Sequence, residues 1–164
     1  MIRDELAGDP TLAARLRPEA APAILSPAAG GRLDRAQATG LDLILEGFLA
    51  HHGTPRHLSP APDRHVLAGD YCYAAGLVRV ADAGDVEVIR VLADLVARSA
   101  GLVADGPDVL PPLWRAAMEA IADPGAGGIA AFDSALDALD AGDDAPLRTL
   151  GARAAARGLD EALA

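Results

Sequence analysis

Apolar positions recur at helical spacing along most of the chain. From Leu33 to about Leu49 they place Leu41, Ile44, Leu45 and Phe48 on one broad face, which predicts a helix. Asp63 reads as the N-cap of a second long helix that runs to about Asp82. At about 100° per residue, Val66, Gly69, Tyr73, Leu77 and Val80 form one inward stripe with Gly76 at its edge. Glycines at such positions cost helix stability, so they predict the close approach of a neighbouring helix. Ala83-Gly84 ends this helix and Asp85 caps a third, Val86 to about Val103. There Glu87, Arg90, Asp94 and Arg98 form a ladder of alternating charge, while Val88, Ile89, Leu92, Ala93, Leu95, Val96 and Ala100 fill the opposite half. Such a wide apolar face is expected to be buried on more than one side, as core or as core plus a subunit interface.

The pattern is weaker at the two ends. Pro111-Pro112 suits the start of a helix that continues through Leu113 to Ala122, and Pro124 to Gly128 reads as a loop. Ile129 to Ala141 is a helix with Ile129, Phe132, Leu136 and Leu139 on one side, and Pro146 to Leu163 holds one or two more. Residues 1–31, broken by Pro10, Pro18, Pro22 and Pro27 and closed by Gly30-Gly31, are expected to form an arm along the surface. Only Thr11 to Leu16 reads as a short helix there. The expected fold is therefore all-α: one helical bundle over residues 1–164, with core helices in 33–104 and further helices in 109–163.

Composition sharpens this picture. Hydrophobic residues are 51% of the 164 and aromatics 3%, so alanine carries much of the apolar content and helices should pack closely. The chain has no lysine, and its net charge of −10 argues against nucleic acid or an anionic lipid surface as partner. Cys72 is the lone cysteine, which excludes an internal disulfide and suits a cytoplasmic setting. The charged start, Met1 to Leu6, does not read as a signal peptide, and no apolar run is long enough to span a membrane.

The stretch Val66-Leu67-Ala68-Gly69-Asp70-Tyr71-Cys72-Tyr73-Ala74 resembles a signature of the trans-polyprenyl (isoprenyl) diphosphate synthases, an apolar pair followed by Ala-Gly-Asp-Tyr. The similarity continues through Gly84-Asp85, Glu87-Val88, Arg90, Leu92-Ala93 and Ala97-Arg98 to about Gly101. Upstream, His51-His52-Gly53-Thr54-Pro55 stands where that family has Arg-Arg-Gly-x-Pro. The resemblance spans about Leu41 to Gly101. It implies a bundle of long helices around a deep cavity, usually dimeric, and magnesium-dependent joining of isopentenyl diphosphate to an allylic diphosphate.

That chemistry needs carboxylates on facing helices to hold magnesium against the leaving diphosphate, and cationic side chains on both substrates. The sequence departs at those points. No aspartate-rich motif lies between Leu41 and Pro55, His51 and His52 replace the paired arginines, and the family's diphosphate-binding lysines are missing. The residues after Asp70 leave no room for the second aspartate motif. The resemblance thus implies a non-catalytic relative: the small or regulatory subunit of a heteromeric synthase, with a catalytic chain or a second copy as partner. It carries no cofactor of its own, magnesium entering only where a catalytic partner supplies the site. A helical scaffold or a hydrophobic small-molecule binder are the alternatives.

Four groups of residues are candidates for chemistry. His51, His52 and Arg56 are the candidate diphosphate or anion contacts. Asp70, read as inward-facing, is expected to be a buried structural acid seeking a cation such as Arg56 or Arg64. Asp133, Asp137 and Asp140 fall within a ~60° arc of one helix and could hold a metal, against the plainer alternative of a solvated edge. His51, His52, His57, His65 and Cys72 invite a zinc reading, but their spacing matches no zinc-finger pattern and one thiolate is a poor start.

Overall fold

The computed structural model describes residues 1–125, 127–154 and 156–164. Ala126, in the expected loop, and Ala155, in the expected last helical segment, lie outside the described residues. Among the described residues ten α-helices follow one another: α1 (Ile2–Ala7), α2 (Pro10–Ala13), α3 (Leu25–Ala28), α4 (Arg35–His52), α5 (His65–Ala81), α6 (Val86–Asp105), α7 (Leu110–Ala122), α8 (Gly128–Asp140), α9 (Ala145–Gly151) and α10 (Leu159–Leu163). Among the described residues there is no strand, only one antiparallel bridge between Leu16 and Leu58. The fold is all-α.

The middle of the bundle is α4. Asp34 and Gln37 cap its start reciprocally: the Gln37 N–H donates to Asp34 Oδ1 at 2.8 Å, and the Asp34 N–H to Gln37 Oε1 at 3.0 Å. From Thr39 to Ala50 every residue of α4 is buried, so all its sides are covered. The second central helix, α7, is covered by α3, α6, α8, α9 and α10 and brings in Trp114, which is fully buried. Leu110 and the proline pair open α7, where the missing proline N–H groups would have had no intrahelical partner.

Helices α4 and α5 meet along their backbones. A Cβ on Gly40 would lie 2.8 Å from the Gly76 carbonyl oxygen, and one on Gly47 would lie 3.0 Å from that of Gly69. The close approach expected from the glycines of α5 is present, but it turns the helix. The buried face of α5 is Ala68, Gly69, Cys72, Gly76 and Val80, while Val66 and Leu77 of the expected inward stripe face out. The N-cap also differs. Asp63 sits in a 3-10 turn, Pro62–Arg64, 3.7 Å from Arg64, and α5 begins at His65 without a side-chain cap.

Helix α6 is capped by Asp85, which accepts from the Val88 N–H at 3.2 Å. Its buried stripe, Val88, Val91, Leu92, Leu95 and Ser99, is narrower than its apolar half, and Ala93 and Ala100 are exposed. The N-terminal arm does not simply lie on the surface. Ile2, Leu6 and Leu12 join Leu43, Leu58, Ala68 and Cys72 in a small core of their own, beside the main core formed from α3–α10.

Candidate functional site

Two buried carboxylates one helical turn apart on α4 organise the molecule's irregular segments. Glu46, 1% exposed, accepts from the backbone N–H groups of Arg56, His57 and Leu58 at 2.9, 2.8 and 2.9 Å. Asp42 accepts from the N–H groups of Ile24 and Leu25 at 3.3 and 3.0 Å and from the Ser26 hydroxyl at 2.7 Å. A buried carboxylate is tolerable when its oxygens are saturated with donors. These acids therefore hold the two proline-rich loops against α4.

The loops in turn form the wall of a cavity of about 780 Å³ at the C-terminal end of α4. Phe48, Val103 and Leu110 provide apolar lining; Arg17, Arg56, Arg157, His52 and Glu161 provide the polar part. Arg17 is fixed by its Nε, which donates to the carbonyls of Pro55 and Leu58 at 2.9 and 3.0 Å. Arg56 uses Nη2 on the Pro22 carbonyl at 2.8 Å. Arg157 has no hydrogen bond or ion pair among the described residues. Burial, and next the charge on His51, hold the His52 pKa below its usual 6.5, so this imidazole is neutral at neutral pH.

The expected anion contacts are split. His52 and Arg56 line the cavity; His51 does not. Its ring stacks on Tyr73 at 5.4 Å, and its Nε2 is 3.2 Å from Asp70 Oδ1, close enough for an ion pair but outside hydrogen-bond geometry. Asp70 itself is a correction: its side chain is 62% exposed, because the glycine face of α5 takes the contact with α4 and rotates Asp70 outward. The buried acids are Asp42 and Glu46. Their sequence signal was two carboxylates inside the nearly continuous apolar run from Leu41 to Ala50.

The acidic stripe on α8 serves as the outer half of a ladder with α6. Arg90 donates to both oxygens of Asp133 at 2.8 and 3.0 Å, and Arg98 pairs with Asp140. Asp137 is exposed. The expected alternation within α6 holds at Arg90, which lies 3.3 Å from both Glu87 and Asp94, whereas Arg98 turns to α8. Among the described residues no three His, Cys, Asp or Glu side chains gather in a way that could hold a metal ion. His57 is buried, and its Nδ1 has no hydrogen-bond partner among the described residues. Burial, followed by Glu46, pushes the Cys72 thiol up to about 12, so it stays protonated and inert.

The arrangement can bind and position a guest in the cavity; its polar wall is made largely of guanidinium groups. No family model matches the chain, and neither a curated protein nor a solved structure matches it. Among the described residues no helix is long and apolar enough to cross a membrane.

Proposed function

We propose that this chain is a non-catalytic helical subunit that works by packing against a protein partner, the catalytic chain of a prenyl diphosphate synthase. The observation that carries the reading is the outer face of α5. Val66 and Leu67 are 61% and 59% exposed, Val78 is 57% exposed, and Leu77 is also open. With Ala74 and Ala81 they fall within about 120° of arc, interrupted by one acid, Asp70. Large aliphatic side chains gathered on one helix face favour a protein partner over water. Val86, at the start of α6, adds a further exposed aliphatic side chain.

The choice of partner rests on the resemblance over Leu41 to Gly101, which includes α5. In this reading the partner supplies the magnesium-binding carboxylates, and the subunit influences product length by the shape it presents. The rival, a scaffold with no isoprenoid role, uses the same face on a different protein.

The test is affinity purification of the full chain from extract of its own cells, with the recovered protein identified by mass spectrometry. The expected result is a synthase carrying both aspartate motifs. The L67E/V78E double variant should lose it while keeping its thermal midpoint, because neither side chain is packed. Adding the subunit to that synthase, with magnesium, labelled isopentenyl diphosphate and an allylic primer, should change product length. Recovery of self-association alone, or unchanged products, rejects the synthase partner.

A further inference from the structure

We propose that the cavity beside α4 is a binding site for a small apolar monocarboxylate, its head group held by Arg17, Arg56 and Arg157. The inference stands apart from the subunit reading, because none of the exposed α5 side chains lines this cavity.

Charge is the first argument. In a chain of net charge −10, three of the 14 basic residues gather around one cavity, opposed among its side chains by Glu161. Such a concentration of guanidinium groups favours an anionic guest.

Preorganisation is the second. The Nε of Arg17 is committed to two backbone carbonyls, which fixes the plane of its guanidinium and leaves both terminal nitrogens without a partner among the described residues. Arg56 is tethered through one terminal nitrogen, so its remaining donors are also available. A guanidinium held in this way presents its donors to a planar carboxylate without losing further side-chain freedom. Glu46 stabilises the arrangement from behind by gripping the N–H groups of Arg56, His57 and Leu58.

The rest of the lining describes the remainder of the guest. Phe48, Val103 and Leu110 offer an apolar wall, and about 780 Å³ accommodates a small organic molecule. Glu161 selects the head group. Its carboxylate lowers the net positive charge of the lining, which suits a head group of one charge, and a carboxylate matches the guanidinium fork. With His52 neutral, the positive charge of the cavity is that of its three guanidinium groups.

Isothermal titration of the full chain tests this with octanoate, 1-octanol and octyl phosphate as probes. Octanoate should bind saturably at one site, at least about tenfold tighter than the alcohol, the factor expected from a charge-assisted hydrogen bond. R157Q is the informative variant, since Arg157 is exposed and without a partner among the described residues, so its loss leaves the fold intact. It should weaken octanoate by about tenfold. E161Q should tighten octanoate severalfold by removing a like charge. Absence of saturable binding, equal affinity for the alcohol, tighter binding of octyl phosphate, or indifference of octanoate to both substitutions would each overturn the proposal.

Discussion

At the residue scale, the acids of α4 and α5 make opposite use of their charge. Glu46 is buried with three backbone donors, while Asp70 stands in solvent near an imidazole. The E46Q variant keeps one acceptor oxygen but turns an amide NH2 toward the backbone N–H groups, so unfolding should become easier by about 2–3 kcal/mol. D70N should stay within about 0.5 kcal/mol of the parent, as surface substitutions do. Urea titration of both variants measures the contrast, and comparable losses would refute it. The sequence led to Asp70 because it lies between Val66 and Tyr73, both members of the expected inward stripe. Gly69 and Gly76 did mark the close approach, but Ala68 and Cys72 belong to the same buried side, and including them turns Val66, Leu77 and Asp70 outward.

At the element scale, the long helices were legible because their apolar periodicity, the Asp85 cap and the glycine breaks agree with one another. The short helices α1 and α3 were not. Ile2 and Leu6, or Leu25 alone, make too short a pattern to display a period, and their burial depends on distant partners. The α4–α5 seam gives a direct test. In G76A the new methyl would lie 2.8 Å from both the Gly40 carbonyl oxygen and Ile44 Cγ1, so the helices must separate. That strain should outweigh the gain in helix propensity and leave a net loss of about 1–2 kcal/mol. At Gly101, in the interior of α6, an added methyl would meet nothing within 4 Å, and G101A should instead stabilise by about 0.5–1 kcal/mol. Thermal denaturation should move the two midpoints in opposite directions.

At the scale of the whole molecule, the all-α architecture followed from composition and period, but the cavity did not. Its lining comes from residues between Arg17 and Ala164 that meet only after folding, and Arg17 and Arg157 lie in segments that show no motif. The small core behind α1 and α2 gives this scale its own prediction. Cys72 lies there, fully buried. Its thiol should react with a thiol reagent only on unfolding in the intact chain, and rapidly once residues 1–16 are removed. Slow labelling of the shortened chain would mean that the small core closes without the arm. Because α4 is enclosed on every side from Thr39 to Ala50, its amide hydrogens can reach solvent deuterium only when the surrounding helices detach. Those amides should exchange last, at a rate set by global unfolding, so that isotope uptake along this one segment becomes a local gauge of the stability of the entire chain.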